Sequence, residues 1–403
     1  MMALPDPYLP QSIFAPHVDG HGAVPRVLIA PQRYVQGDGI IRHLGRYLSL
    51  VPSERASILI SAGGQRRIGP RIIESLRAAG IESVVATFQG ECSVEEVERV
   101  AATLKAAAPP VDSVVAVGGG KCVDAGKCVA FRLGIPAVVV PTLASNDAPC
   151  SALSVMYSPS GVFTDIEFFP ASPALVAVDT RLVAEAPLRY LVAGMGDAMA
   201  TWYEARTCLD NPSGRSCVGA RPTLAASAIG EICATTLYAH GEAAAEAVRR
   251  SEVTDALERV VEANTLLSGI GFESGGLAVA HAAAQAFTVV PEVHRRYLHG
   301  EMVAIGLLTQ LTLENNAPDA RRVAEFFVRV GLPVHLEQLS LSPSDAASLK
   351  SVIATALMHP AVPNEPFIVT PNTLLAAVLD AHALGKDVCH TAGDVAYRAL
   401  HEK

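Results

Sequence analysis

The sequence predicts a parallel α/β domain over residues 1–180 followed by an all-α domain over residues 181–403, and three observations carry that division. Short β-rich runs alternate with longer helical patterns in the first part, and beyond residue 180 the strand signals nearly vanish. The 403 residues also exceed what one hydrophobic core usually serves.

In chain order, VLIA (27–30), SILISA (57–62), SVVATF (83–88), SVVAVG (113–118), PAVVVP (136–141) and LVAVD (175–179) read as strands. Helices lie between several of them, such as CSVEEVERVAATLKAAA, where Ser93 and Glu96 stand at capping-box spacing. Strand, helix, strand in regular order implies a parallel sheet covered by helices, which binds ligands at the carboxyl ends of its strands. The boundary falls near Asp179 to Pro187, and Ala- and Leu-rich segments with helical spacing follow almost to the end. The opening MMALPDPYLPQSIFAPH, rich in proline, reads as an extended arm without the features of a secretory signal. No fixed-period repeat and no low-complexity tract interrupts this plan.

Composition excludes whole classes of function. A net charge of -9 argues against a general nucleic-acid surface. Hydrophobic residues make up 50% of the chain, but in short runs, none near the ~20 residues that span a bilayer. The eight cysteines are scattered without a CxxC pair, a pattern of reduced thiols filling cores and a cytoplasmic setting.

Four stretches carry chemistry. In SVVAVGGGKCVDAGKCVA, glycines lie where a strand turns into a helix, so backbone N–H groups can face a pyrophosphate; Lys121 and Asp124 on the first helical turn strengthen that reading over a plain tight turn. PTLASNDAPCSALSVMY follows a buried strand as a long polar loop with Thr142, Ser145, Asn146, Asp147 and Ser151, placed to bind a ligand at the same sheet edge. GMGDAMATWYEAR sets Asp197 in apolar surroundings, where an ionised carboxylate needs a cation or a metal, unless it caps the helix after Gly196. His281 in GGLAVAHAAAQAF and His299 at the start of HGEMVAIG suit, together with that Asp, a divalent metal with an open coordination position; His294 is a rival for either place.

Taken together, GGGKCVDAGK, PTLASNDAPCSALSVMY, GMGDAMATWYEAR, GGLAVAH and HGEMVAIG resemble the successive motifs of the glycerol dehydrogenase branch of the iron-type, metal-dependent alcohol dehydrogenases, and VPNEPFIVT near residue 362 resembles a further one. The resemblance implies a dinucleotide-binding domain and a helical domain whose cleft holds nicotinamide cofactor, metal and substrate. It carries Gly119, Gly120, Lys121 and Asp124 over to the pyrophosphate turn, and Thr142, Ser145, Ser151, Leu153 and Tyr157 to the positions lining the cofactor. Asp147 matches a contact to a substrate hydroxyl, and Asp197, His281 and His299 match three metal ligands. Iron-dependent relatives carry a further histidine where this chain has Thr201, so the resemblance implies zinc rather than iron. Zinc would polarise the alcohol, and hydride would pass from the carbinol carbon to C4 of NAD or NADP. Partners are then a small-molecule substrate and further copies of the chain in a homo-oligomer, with no nucleic acid and no membrane.

Three departures shape expectations about specificity. After the second strand, SILISAGGQRRIG offers Gly63 and Gly64 where NAD-using relatives tend to carry an acid, with Arg66 and Arg67 close behind; tolerance of NADPH follows, unless both arginines are merely solvated. Asn146 replaces a usual Thr, and AAAQAF after His281 is drier than in glycerol-specific members, so the substrate is a small polyol or a hydroxy or keto compound. Alternatives are an NADPH-preferring reductase of small 2-oxo compounds and a 3-dehydroquinate-synthase-like lyase. The lyase needs several cations for a phosphorylated substrate, and only Arg295 and Arg296 lie near the predicted ligands.

Overall fold

Eight strands are described: β1 (Tyr34–Gly37), β2 (Arg55–Ser61), β3 (Glu82–Phe88), β4 (Ser113–Gly118), β5 (Ala137–Pro141), β6 (Leu153–Tyr157), β7 (Phe163–Phe168) and β8 (Leu175–Asp179). Six of them form one parallel sheet in the order β1-β8-β5-β4-β2-β3, and β6 and β7 pair as an antiparallel hairpin. This computed structural model describes residues 7–14 and 23–402. The chain divides into two compact units, one built mainly from Ile29–Ala186 with Arg250–Val253, the other from Pro187–Arg249 and the chain from Thr254 on.

In the first unit, β2, β4, β5 and β8 are buried almost throughout, which is why their sequences are continuous apolar runs rather than alternating ones. Successive side chains still point to opposite faces. Ile58, Ile60, Val115 and Val117 pack with Ile72 and Leu76 of helix α1 (Gly69–Ala78) on one face. Leu59 and Val114 join Val97, Val100 and Leu104 of α2 (Val94–Lys105) and Val129 of α3 (Gly120–Leu133) on the other face.

Several local expectations are corrected. VLIA is not a strand: Leu28 is exposed, and next to the segment there is only the isolated bridge of Arg26 to Arg221. The edge strand is instead Tyr34–Gly37, paired with β8, a half-buried tetrapeptide with no apolar run to announce it. Ser93 caps α2 through Glu96 N at 3.2 Å, but the Glu96 carboxylate, in place of the reciprocal half of the box, accepts from Gln89 N at 2.7 Å. The opening arm lies partly outside the described residues, and within it Pro10–Phe14 forms a short helix, because proline is tolerated at a first helical position.

In the second unit the described residues contain no strand. The helices that matter for the site are α4 (Leu188–Asp210), α5 (Val279–Phe287) and α6 (His299–Leu313). They approach backbone to backbone at glycines. A Cβ on Gly300 of α6 would meet the Ala193 carbonyl oxygen of α4 at 1.8 Å, and one on Gly306 would meet the Ala280 oxygen of α5 at 2.1 Å. Hydrogen in place of a methyl lets α6 touch both neighbours at once. No helix is long and apolar enough to cross a membrane among the described residues.

Candidate metal centre and cofactor turn

These close crossings place three side chains together. Asp197 lies well inside α4 rather than at its start, so it is not a helix cap. His281 sits in the first turn of the short helix α5, and His299 opens α6 directly beside Gly300. His281 Nε2 and His299 Nε2 each lie 3.3 Å from Asp197 Oδ1, and one potential ligand atom from each residue falls within 4.8 Å of the others. His294, the rival, is not part of this cluster among the described residues.

The electrostatics suit a cation. Asp197 is fully buried, and neither carboxylate oxygen accepts a well-formed hydrogen bond. Burial would raise its carboxyl, but the charge of His299 and the closeness of both imidazoles outweigh this and hold it well below the usual carboxylate range. His281 is buried too, which opposes an imidazolium, yet Glu204 and Asp197 together lift it well above the ordinary histidine value. A divalent ion would satisfy the orphaned carboxylate and take over the role of that proton. His299 is 47% exposed at its side chain, which leaves one side of the cluster open for a further ligand.

Glu204 completes the arrangement. Its Oε2 lies 2.5 Å from His281 Nδ1, while Oε1 accepts from Ala278 N at 2.7 Å and His281 N at 3.0 Å. This fixes the ring so that Nε2 faces Asp197. Sequence reasoning missed Glu204, although it stands seven residues after Asp197, two turns along the same helix face. Thr201, which the resemblance matches to the extra histidine of iron-dependent relatives, is buried with its hydroxyl 2.8 Å from Ser268 Oγ. His359 feels the same charges: burial, together with the charge of His281, pushes its imidazole down to about 4 and keeps it neutral.

A second support runs through Glu301, fully buried two residues after His299. Its carboxylate accepts from Arg189 Nε at 2.6 Å, Arg189 Nη2 at 2.7 Å and Leu298 N at 2.8 Å, and lies 2.9 Å from His401 Nε2. Arg189 belongs to the first turn of α4, so the starts of α4 and α6 are fastened together.

In the first unit, of the residues expected to meet the cofactor, Gly119, Gly120 and Lys121 follow β4, Thr142 and Ser145 follow β5, and Leu153 and Tyr157 are the two ends of β6. Gly119 is the residue before α3 and no side chain caps that helix, leaving its first N–H groups available to an anion. The loop after β5 folds against this turn: Thr142 N donates to Gly118 O at 2.9 Å, and a Cβ on Gly120 would meet Asn146 Nδ2 at 2.6 Å. Lys121 is exposed, paired with Glu91 at 2.6 Å and 5.4 Å over the Tyr157 ring. Ser145 is half-buried, and Asp147 is buried at the head of the short turn Ala148–Cys150.

Asp124 and Ser151 serve differently from the surface residues around them. Asp124 is buried in an ion pair with Lys127 at 3.0 Å and accepts from Val155 N at 3.3 Å; burial raises its carboxyl, and Lys127 partly offsets this. Lys127, itself buried, donates to Ala148 O at 2.8 Å, to Ser151 Oγ at 3.2 Å and to the Leu153 carbonyl. Ser151 Oγ also donates to Ala148 O at 3.1 Å. These groups hold the 142–157 loop onto α3, and their polar atoms are turned inward.

Residues 31–180 match the family model of the iron-containing alcohol dehydrogenases. The glycerol dehydrogenase of Escherichia coli O6:H1 is 42% identical over 90% of this chain and 98% of its own length. The chain belongs to the iron-containing alcohol dehydrogenase family. Within it, the chain falls in the glycerol dehydrogenase branch. The crystal structure of glycerol dehydrogenase from Schizosaccharomyces pombe superposes with a TM-score of 0.87 at 30% identity, covering 94% of this chain and 97% of that one. A glycolaldehyde reductase of Halobacterium salinarum is 40% identical over 90% of this chain and 98% of its length. The protein is therefore a metal-dependent, nicotinamide-linked polyol oxidoreductase.

Proposed function

We propose that Asp197, His281 and His299 hold one zinc ion, and that the chain interconverts a small vicinal polyol or hydroxy compound and the corresponding carbonyl with a nicotinamide cofactor. The single observation that carries this is the buried Asp197 carboxylate, without a well-formed hydrogen bond and facing two imidazole Nε2 atoms. When bound, a divalent cation supplies a Lewis acid that lowers the pKa of an alcohol hydroxyl. The chain's own residues do the rest. Glu204 keeps the proton of His281 on Nδ1, so its Nε2 lone pair is free. Asp197 stays ionised at neutral pH. Gly119, Gly120 and Lys121 receive the cofactor phosphates, Thr142, Ser145, Leu153 and Tyr157 line its nicotinamide half, and Asp147 bonds a substrate hydroxyl. Asp124 and Ser151 act by fastening that loop. Thr201, already bonded to Ser268, leaves three protein ligands, the number that catalytic zinc sites carry, and supplies no fourth ligand of the kind the resemblance attributes to iron-dependent relatives.

Reduction of a small hydroxy carbonyl is the second reading, supported by the likeness to a protein described as a glycolaldehyde reductase. A lyase acting on a phosphorylated substrate has no such support. Arg295 and Arg296 are exposed and paired with Glu292. Eight free cysteines support a cytoplasmic setting, and a homo-oligomer is the assembly that the family resemblance implies. Chelator-stripped protein should lose oxidation of glycerol and 1,2-diols and regain it with stoichiometric Zn2+ better than with Fe2+. Full activity of the stripped protein, or activity confined to long unsubstituted alcohols, contradicts the reading.

A further inference from the structure

The choice between the two nicotinamide cofactors falls to the carboxyl end of β2. A dinucleotide whose pyrophosphate sits on the glycine turn after β4 places a nucleoside over the neighbouring strand on each side. β5 and β2 are those neighbours, with Val117 in register with Val140 and with Ile60. The β5 side is taken by the loop carrying Asp147, so the adenosine ribose falls at β2. There an NAD site needs a carboxylate to accept from the ribose hydroxyls, whereas a 2′-phosphate needs room and cations.

The structure has the second set. β2 ends at Ser61, and the short helix Ala62–Arg67 follows with no acidic residue. Gly63 has nothing within 4 Å of where a Cβ would stand, so the strand end is open. Arg66 and Arg67 are exposed and engaged in no ion pair or side-chain hydrogen bond among the described residues. At a helical rise of about 1.5 Å per residue they lie one to two turns from the strand end, within the reach of a guanidinium side chain. On the β3 side, Glu91 is already held by Lys121 at 2.6 Å. We infer that this chain binds NADP(H) at least as tightly as NAD(H), with the open strand end at Gly63 admitting the 2′-phosphate and Arg66 and Arg67 pairing with it.

This rests on the nucleotide reading of the glycine turn, and cofactor binding tests it without knowledge of the substrate. Nicotinamide fluorescence titrations of the full-length protein with NADPH and NADH should give an equal or lower Kd for NADPH. The double variant Arg66→Ala, Arg67→Ala should weaken NADPH at least ~10-fold and leave NADH within about threefold, as loss of charge-assisted phosphate pairing requires. Gly63→Asp, which has space for its side chain, should reverse the order. Tighter binding of NADH by the unaltered protein, or equal weakening of both cofactors in the double variant, overturns the inference. Binding of neither cofactor overturns the nucleotide reading itself.

Discussion

At the residue scale the site is governed by where protons and lone pairs are held. His281 offers Nε2 to the centre only because Glu204 occupies Nδ1 at 2.5 Å. Such supporting carboxylates commonly change metal affinity about 10- to 100-fold when removed. Glu204→Gln should therefore raise the zinc Kd by roughly that factor, measured by competition with a chromophoric chelator, while circular dichroism stays unchanged. Unaltered zinc affinity would mean that Glu204 merely satisfies backbone N–H groups. The three clustered side chains were legible in the sequence because an acid and two imidazoles stand out in apolar helices. Glu204 was legible only through its spacing from Asp197, and Lys127 not at all, since its acceptors are backbone carbonyls of a loop whose path no local pattern encodes.

At the element scale, the centre depends on helices that touch along their backbones. Gly300 lets α6 pass the Ala193 carbonyl, and Gly306 lets it pass Ala280. Gly300→Ala forces an overlap that only helix separation relieves, and overpacking of this kind typically costs about 1–3 kcal/mol. The expected outcome is a lower Tm together with weaker zinc retention in the folded protein. A stable, fully zinc-loaded Gly300→Ala would show that the helix crossing does not position His299. Elements with one dominant local cause were readable: β4, β5 and β8 announce themselves as buried apolar runs, and the last half announces helix by its spacing. β1 and the β6–β7 hairpin were not, because β1 is a strand by virtue of its pairing with β8, and β6 hides in a polar-looking segment whose Ser154 is buried against Asp124 O. VLIA failed for the opposite reason: its apolar side chains have no sheet to join.

At the scale of the whole molecule, each unit is complete in what it brings. The first carries the glycine turn and its loop, the second carries the acid and two imidazoles. The motifs lie scattered from Gly119 to His299 in sequence, yet each set is assembled inside one unit by strand ends or helix crossings. Zinc X-ray absorption on the stoichiometrically loaded protein reads the ligand set itself. The expected result is one zinc per chain with a first shell of nitrogen and oxygen only, carrying imidazole scattering that falls from two rings to one in His281→Ala. A sulfur shell at about 2.3 Å, drawn from any of the cysteines, or a spectrum unchanged by that substitution, would contradict it.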